Sequence, residues 1–396
     1  MNFTSRMPGR ILIIYTKNTG ELGNRQSALG SYIACLCDIF QRSGMHVFVN
    51  GIAYDIIKQL PVTANQPGST SHITKYIPGF AKQLVKDSLV IKKIKESYNT
   101  IIGSGTYDCI LEFYSYASDV GYRVSKHQKI PLLVVYDAPV LEEYIFFHGK
   151  KVVFRKEILK RELNTLKQAD AIVAYSNPVK NYLNKLAGKS LPVFIHQNVD
   201  FTRFDFVETK PAGDLINIGF VGSFLKWHKV DWLLNAFTRL KQEGCSVQLY
   251  LIGMGAEFNS IAEKVSLNKY KELIHIPGFV DGEALLNLKK QIHIGVMPGS
   301  NWYGAPNKIF EYGASRMAVV APKTPTIADL FEDREELILF EESSEQSLYS
   351  ALKKLSEDKV LMNKLATCLQ QKIRTMHSSE NTFEFYNGLI KKSLNK

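Results

Sequence analysis

Short apolar runs alternate with longer helical stretches along this chain, and the alternation limits the folds open to it. The runs fit buried strands, and they lie at residues 11–15, 46–50, 109–113, 132–136 and 171–175, then at 216–221, 247–252, 274–276, 293–297 and 318–321. Strands separated by helices pair in parallel and are covered on both faces. The sequence therefore predicts an α/β protein with two doubly wound domains in tandem.

The boundary between these domains is expected near residues 201–214, where a polar stretch with Pro and Gly has no periodicity. Residues 343–396 contain no proline and have a helical pattern. We predict an N-terminal domain over residues 1–205, a C-terminal domain over residues 206–375, and a helix over residues 376–396 that packs back on the N-terminal domain.

The composition excludes several classes of protein. With 45% hydrophobic and 22% charged residues, the 396-residue chain is unlike disordered, collagenous or coiled-coil proteins. No apolar run is long enough to span a bilayer, and the polar start does not resemble a signal peptide. Its five cysteines are scattered without metal-ligand spacing, as in reduced core positions. We expect a cytoplasmic protein.

The net charge of +11 lies almost entirely in the first half. Residues 1–205 carry 26 basic and 16 acidic side chains, and residues 206–396 carry 23 and 22. Lysines interleave with apolar residues over 75–95, as in a basic amphipathic helix. The pattern indicates an anionic membrane surface at the inner face as a partner, although a solvated helix face explains it equally well. No nucleic-acid-binding motif accompanies the charge.

Ligands of open parallel sheets bind beyond the carboxyl ends of the strands, where this chain carries glycine loops. The loop after residues 216–221 has a tight turn, a hydroxyl and basic groups ahead of a helix, namely Gly222, Ser223, Lys226, His228 and Lys229. Such a loop suits a diphosphate, and its alternative is a plain strand-to-helix turn. The loop at Gly253 carries a weaker Gly-x-Gly signal.

Residues 297–314 form the most specific segment, with a strand end, a Gly/Pro loop and a helix start. Lys308 and Glu311 are spaced i, i+3 on one helix face. There a carboxylate can accept two sugar hydroxyls while backbone N–H groups hold phosphate. The alternative is an exposed ion pair.

The chain resembles family 4 of the retaining glycosyltransferases, in a subgroup with a Tyr-Gly-x-Pro-x-Lys-Leu-Phe-Glu-Tyr motif. The motif is matched by Tyr303, Gly304, Pro306, Lys308, Phe310, Glu311 and Tyr312. A Gly-Ser…Trp-His-Gly-Val-Asp turn is resembled by Gly222, Ser223, Trp227, His228, Val230 and Asp231, with Lys229 in place of glycine. Weaker similarity extends to Glu112–Ser115 and Asp137 in the first domain.

The resemblance implies the GT-B fold, with two Rossmann-like domains facing across a cleft, the acceptor on the first and the nucleotide sugar on the second. Glu311 would hold the ribose, whereas Tyr303 replaces the family's first motif glutamate. The implied catalytic residues are Asp137, which orients or deprotonates the acceptor or else caps a helix, and Lys229, Lys308 and Glu311. His228 and Lys226 are substitute cations.

The same resemblance implies two sets of binding residues. The donor-binding residues are Gly222, Ser223, Lys226, His228, Gly253, Val280, Tyr303, Gly304, Ala305, Pro306, Asn307 and Glu311. The acceptor-binding residues are Gly20, Gly23, Asn24 and Tyr114, although the two glycines could also simply shape a turn.

The function that we expect is a retaining sugar transfer from a UDP- or GDP-linked donor to a saccharide or lipid-linked acceptor, in cell-surface polysaccharide or glycolipid synthesis. No cofactor is expected, and no metal, because no Asp-x-Asp cluster lies near the donor loops. Two alternatives stay open: a nucleotide-sugar epimerase of the same fold, and a non-catalytic nucleotide-sugar-binding protein.

Overall fold

The structure is a computed structural model that describes residues 9–15, 22, 28–59, 79–148, 152–197, 199, 204, 206–210, 213–376 and 379–395. By their internal contacts the residues divide into two compact units. The N-terminal unit comprises Met1–Thr202 and Ser379–Lys396, and the C-terminal unit comprises Arg203–Ser378. The backbone therefore leaves the N-terminal unit once and returns to it.

The N-terminal unit contains a seven-stranded sheet in the order β3-β2-β1-β4-β5-β6-β7. Its strands are β1 (Arg10–Ile14), β2 (His46–Val49), β3 (Ile52–Ala53), β4 (Cys109–Phe113), β5 (Leu132–Tyr136), β6 (Ala171–Ala174) and β7 (Val193–Ile195). All neighbours are parallel except β2 and β3. Its helices are α1 (Ala28–Arg42), α2 (Tyr54–Gln59), α3 (Gly79–Gly103), α4 (Val120–Gln128), α5 (Val140–His148), α6 (Arg155–Gln168), α7 (Asn177–Ala187) and, after the second unit, α15 (Ser379–Leu394).

The C-terminal unit contains a six-stranded parallel sheet in the order β10-β9-β8-β11-β12-β13. Its strands are β8 (Ile216–Val221), β9 (Val247–Ile252), β10 (Ile274–Gly278), β11 (Ile294–Val296), β12 (Ala318–Pro322) and β13 (Ile338–Phe340). Its helices are α8 (Val230–Gln242), α9 (Phe258–Ser266), α10 (Gly282–Gln291), α11 (Asn307–Ala314), α12 (Pro325–Leu330), α13 (Glu345–Glu357) and α14 (Lys359–Met376), with 3₁₀ turns at Lys226–His228 and Lys271–Leu273.

Burial explains why the apolar runs form strands. All five residues of β4, β5 and β12 are buried, as expected of parallel strands covered by helices on both faces. In the N-terminal unit α15 contributes Tyr386, Leu389 and Ile390 to the core that also contains residues of α1 and β5. The hydroxyls of Tyr386 and Tyr32 lie 3.2 Å apart inside this core.

Each sheet reverses its strand order at one point. The reversal lies between β1 and β4 in the N-terminal unit and between β8 and β11 in the C-terminal unit. Ligands of doubly wound sheets bind in the crevice beyond such a switch point. The loops after β8 and β11 therefore form the candidate ligand-binding region of the C-terminal unit.

The predicted α/β class with two parallel sheets is confirmed, and each of the ten predicted runs coincides with a strand. Three further strands, β3, β7 and β13, were not predicted; each has only two or three residues and lies at a sheet edge. Among the described residues, no helix combines the length and the apolar character needed to cross a membrane.

Candidate functional site

The carboxyl ends of β8, β9 and β10 meet through three glycines. Gly222, Gly253 and Gly278 have φ of +153°, +135° and +81°, values that residues with a side chain rarely adopt. The N–H of Gly222 donates to the carbonyl oxygen of Ile252 at 2.9 Å, and that of Gly253 donates to Gly278 at 2.8 Å. A Cβ on Gly253 would lie 1.9 Å from the carbonyl oxygen of Gly222. Glycine at position 253 therefore allows the two loops to meet.

The loop after β11 approaches the turn after β8 equally closely. A Cβ on Gly299 would lie 2.1 Å from the carbonyl oxygen of Trp227 in the 3₁₀ turn and 3.1 Å from Cγ of Lys229. Because β8 and β11 flank the switch point, this contact joins the two loops that were predicted to bind the donor.

Lys308, in the first turn of α11, extends over Gly222. A Cβ on Gly222 would lie 2.4 Å from Cε of Lys308 and 3.2 Å from its Nζ. The Nζ atom lies 5.8 Å from the centroid of the Phe220 ring. Burial lowers the pKa of Lys308 from 10.5 to about 8, although the nearby charge of Glu311 opposes the shift. A cation in this place, at the end of a central strand, suits an anionic ligand.

His228 lies between the β8 loop and Lys308 and is only 8% exposed. Its Nδ1 lies 2.5 Å from the carbonyl oxygen of Ser223, and its Nε2 lies 3.2 Å from Nζ of Lys308. Burial, and then the charge of Lys308, lower the pKa of His228 to about 4. The imidazole is therefore neutral at neutral pH.

Glu311 lies one turn after Lys308, but its ion-pair partner comes from another helix. Nζ of Lys289, at the end of α10, donates to Oε2 of Glu311 at 3.1 Å, and the two side chains are 15% and 32% exposed respectively. Lys210 in turn donates to the backbone carbonyl of Lys289 at 2.7 Å. These contacts orient the Glu311 carboxylate and leave it partly open to solvent.

Comparison with known proteins gives this geometry a context. Residues 216–358 match the family described as Glycosyl transferases group 1. HepE from Anabaena, solved with UDP, aligns with 96% of this chain and 98% of its own at 16% identity and a TM-score of 0.66. Sucrose-phosphate synthase from Thermosynechococcus elongatus aligns over 97% and 98% of the two chains at 16% identity and a TM-score of 0.70. The fold is GT-B.

A third GT-B neighbour is a glycosyltransferase from Rickettsia africae, with 98% of both chains covered, 16% identity and a TM-score of 0.63. Among curated protein sequences, no relative matches the chain. At these identities the structural likeness establishes the GT-B fold, and the residues of the site have to be judged on their own geometry.

Lys229 contacts groups that the sequence did not predict. It stands where the motif that this turn resembles has glycine, and it adopts a φ of +47°. Its Nζ donates to the carbonyl oxygen of Glu342 at 2.9 Å and lies 4.0 Å from the centroid of the Trp232 ring. Of the two predicted lysines, Lys308 is the one whose ammonium lies over Gly222.

Tyr303, in the place of the first motif glutamate, is 5% exposed and packs edge-on against Trp302 with ring centroids 5.3 Å apart. Donor binding by Tyr303 stays a prediction. The adjacent loop is tight, since a Cβ on Gly304 would lie 2.8 Å from Oδ1 of Asn301. Oδ1 of Asn301 and Oδ1 of Asn307 are buried and have no hydrogen-bond partner among the described residues. Both oxygens could accept hydrogen bonds from ligand hydroxyls, and Asn301 was missed in the sequence.

The other predicted donor-binding residues differ in exposure. Ser223 and Lys226 are exposed, Val280 and Ala305 are half-buried, and Pro306 is buried immediately before α11. Exposure leaves the first two available to a ligand. The structure therefore brings the predicted residues to one edge of the sheet, although they do not all present a side chain there.

Tyr312 has a structural role that spacing alone did not indicate. Its hydroxyl accepts a hydrogen bond from the N–H of Val221 at 2.9 Å. The ring lies so close to β11 that a Cβ on Gly295 would be 2.7 Å from it. Tyr312 thus fixes α11, and with it Lys308, against the ends of β8 and β11.

In the N-terminal unit, the predicted acceptor-binding residues Gly20, Gly23 and Asn24 lie outside the described residues. Asp137 directly follows β5 and is half-buried. Burial raises the pKa of nearby phenols, and the charge of Asp137 adds to this effect, at Tyr32, Tyr175 and Tyr386. This group of tyrosines around Asp137 was not predicted, because α1, the residue after β6 and α15 supply it from distant parts of the sequence.

The structure places Tyr114, which was predicted to bind an acceptor, inside the N-terminal unit. Its ring stacks on Tyr136 with centroids 5.7 Å apart, and its hydroxyl is buried. Burial, and then the charges of Glu162 and Glu112, raise the pKa of Tyr114. Burial also raises the pKa of each of these two carboxyls to about 7, while hydrogen bonds from Tyr136 to Glu162 and from Ser118 to Glu112 oppose the shift. Tyr114 belongs to an internal polar cluster.

Proposed function

We propose that this protein is a glycosyltransferase that moves a sugar from a nucleoside diphosphate to an acceptor hydroxyl. The observation that carries the proposal is the ammonium of Lys308 over Gly222 at the switch point, with Glu311 one turn later. A cation beside a glycine loop suits a diphosphate, and a carboxylate can accept both ribose hydroxyls. The match of residues 216–358 to Glycosyl transferases group 1 supports the assignment.

UDP is the donor nucleotide that we propose. HepE has been solved with UDP, with UDP and glucose, and with UDP-glucose, and its fold is shared by the present chain. GDP is the alternative that the sequence left open. The buried Oδ1 atoms of Asn301 and Asn307 are proposed to accept hydrogen bonds from the sugar, in the absence of the motif glutamate.

The proposed mechanism follows from the charge that develops as the anomeric C–O bond breaks. Negative charge accumulates on the departing diphosphate, and a cation already held in place stabilises it without reorganisation. Lys308 is proposed to have this role. We further propose that the acceptor hydroxyl attacks from the same face, so that the configuration is retained without a covalent intermediate on the protein. Asp137 is the proposed residue for orienting or deprotonating the acceptor.

Metal independence is part of the proposal and is tested by turnover in the presence and absence of a chelator. Among the residues that the structure describes, no three His, Cys, Asp or Glu side chains come together as metal ligands.

Release of free UDP from UDP-glucose and related donors, with and without saccharide or lipid-linked acceptors, tests the function. We expect release that depends on acceptor. An epimerase would instead change the sugar nucleotide without acceptor, and a binding protein would bind UDP without releasing it from the sugar. The buried Tyr303 favours the binding protein as the main rival, since it removes a carboxylate from the donor site.

The ribose assignment is tested by Glu311→Ala, with the exposed Glu283→Ala on α10 as its control. Loss of a carboxylate that accepts ribose hydroxyls should weaken UDP binding by about tenfold or more in calorimetry, whereas Glu283→Ala should leave it unchanged. Equal affinities for the two variants would exclude Glu311 as the ribose ligand.

We also propose that the protein attaches peripherally to an anionic membrane through α3, in support of a lipid-linked acceptor. Val85 and Leu89 are each 52% exposed on this helix, and Lys92, Lys93 and Lys95 are exposed beyond them. Apolar and basic groups on one exposed stretch suit lipid headgroups. Sedimentation with phosphatidylglycerol vesicles should fall strongly on changing the three lysines to glutamate, and binding that is unaffected would contradict the proposal.

A further inference from the structure

The two contacts of His228 determine its protonation state. Its Nδ1 lies 2.5 Å from the carbonyl oxygen of Ser223, which can only accept, so Nδ1 must carry the proton. Its Nε2 lies 3.2 Å from the ammonium of Lys308, which can only donate, so Nε2 must offer its lone pair. Only the neutral tautomer with the proton on Nδ1 satisfies both. His228 is therefore not a substitute cation.

The neutral partner leaves the charge of Lys308 available. In the described part of the chain, Glu311 pairs with Lys289, and no carboxylate forms an ion pair with Lys308. A lysine held by a carboxylate would have its charge compensated before any ligand arrived. An imidazole acceptor instead uses one of the three N–H groups and leaves the positive charge for an anion.

Packing fixes the place of the acceptor. The His228 ring is 8% exposed, and its centroid lies 5.7 Å from that of the Phe220 ring, which also lies under Nζ of Lys308. The hydrogen bond to Ser223 fixes the rotation of the imidazole. Nε2 thereby holds the Lys308 ammonium close to Gly222. Its Nζ lies 3.2 Å from the position that a Cβ on Gly222 would take.

We propose that His228 is a positioning residue that holds the ammonium of Lys308 over Gly222, ready for the donor diphosphate, by accepting its hydrogen bond through Nε2. The proposal rests on the proposed function in one respect, namely that the ligand is a diphosphate. It assigns His228 neither a contact with the donor nor a proton transfer in the reaction.

Three substitutions separate the two hydrogen bonds of His228. The amide oxygen of His228→Gln can take the place of Nε2, whereas the shorter His228→Asn can replace only the donor to Ser223, and His228→Ala replaces neither. In calorimetric titration with UDP we expect His228→Asn and His228→Ala to weaken binding by about tenfold. A loss of this size corresponds to one hydrogen bond to a charged group. Gln should recover most of the affinity.

A double-mutant cycle excludes a merely structural effect. In a Lys308→Met background most of the difference between His228→Asn and His228→Gln should disappear, because an acceptor for the Lys308 ammonium no longer has an effect there. The exposed His275→Asn on β10 serves as a control and should bind UDP like the unsubstituted protein. If His228→Asn and His228→Gln bind UDP with equal affinity while Lys308 is present, the proposal is overturned.

A measurement without ligand separates this proposal from the proposed function. The titration of Lys308 can be followed by NMR in lysine-labelled protein, with Lys308→Met for the assignment. A hydrogen-bond acceptor favours the charged form, so His228→Asn should lower the pKa of Lys308 further and His228→Gln should not. If UDP fails to bind but this pattern appears, the positioning role stands and the diphosphate assignment falls. If both variants titrate like the unsubstituted protein, the positioning role is wrong.

Discussion

The ammonium of Lys308 forms no ion pair among the described residues, since the nearby Glu311 pairs with Lys289. Burial lowers the pKa of Lys308 to about 8. Below that pH the group is already charged, and under the proposed function the diphosphate needs no proton uptake to bind. Above it the free protein has lost the proton and must take one up on binding. The affinity should therefore fall as the pH rises past 8.

The prediction is a loss of UDP affinity of up to about tenfold per pH unit between pH 8 and 9.5, since binding is then linked to uptake of one proton. The phosphate is fully ionised in this range, because its second pKa is about 6. Calorimetry over pH 7 to 9.5 measures the effect, and Lys308→Met should show weak and nearly constant affinity. A flat profile in the unsubstituted protein would contradict the role of Lys308.

At the residue scale, the sequence predicted which residues share an element better than it predicted their hydrogen-bond partners. Lys308 and Glu311 were expected to share a helix face, and they do lie in one helix. Their hydrogen-bond partners, however, are His228 and Lys289, which belong to a 3₁₀ turn and to α10. Helical spacing contains no information on such tertiary contacts, and for the same reason the diversion of Lys229 to Glu342 was not predicted.

At the scale of elements, three glycines bring the carboxyl ends of β8, β9 and β10 into contact. Gly253→Ala would place a Cβ 1.9 Å from the carbonyl oxygen of Gly222 at a φ of +135°. The loops would have to separate, and the hydrogen bond from Gly253 to Gly278 would be strained. Nucleotide binding should weaken together with stability.

We predict that Gly253→Ala lowers the free energy of unfolding of the C-terminal unit by about 3 kcal/mol or more. Gly244→Ala is the matched control, because Gly244 has a φ of +83° in the same unit but no atom within 4 Å of the added Cβ. Backbone strain alone should cost about 1 to 2 kcal/mol there. Denaturant unfolding measures the loss of unfolding free energy in both variants. Equal losses would show that the contact between the new Cβ and the Gly222 carbonyl oxygen is relieved at little cost.

Element types were predictable because buried parallel strands appear as continuous apolar runs, as in Cys109–Phe113 and Leu132–Tyr136. The short edge strands β7 and β13 were not, since three residues provide no periodicity. The sequence also did not predict which polar side chains are buried. Glu112 lies within an otherwise apolar strand, and its hydrogen bond from Ser118, in the connection between β4 and α4, depends on how that connection folds back.

At the scale of the whole molecule, the N-terminal unit depends on a helix that follows the second unit in the sequence. Tyr386 is fully buried and its hydroxyl lies 3.2 Å from that of Tyr32, while Leu389 and Ile390 join the same core. Truncation of a buried aromatic side chain to alanine typically lowers the free energy of unfolding by about 3 to 5 kcal/mol.

We therefore predict that Tyr386→Ala, at about 3 kcal/mol of cost, raises hydrogen exchange in peptides of β1, β4 and β5 and leaves peptides of β8 and β11 unchanged. Mass spectrometry of the exchanged protein measures both sets at once. UDP should do the reverse and protect the C-terminal peptides. An equal rise in both units on the Tyr386 substitution would mean that the two units unfold as one.

The return of the chain to its first sheet has a consequence for biosynthesis. Residues Arg203–Ser378 must leave the ribosome before α15 becomes available to the N-terminal unit. At the usual rate of translation this delay is on the order of 10 to 30 seconds. Throughout that interval the apolar surface that Tyr386, Leu389 and Ile390 later cover stays exposed on the nascent chain. The first half of the protein thus exposes an apolar surface, of the kind that chaperones bind, until the second half has been made.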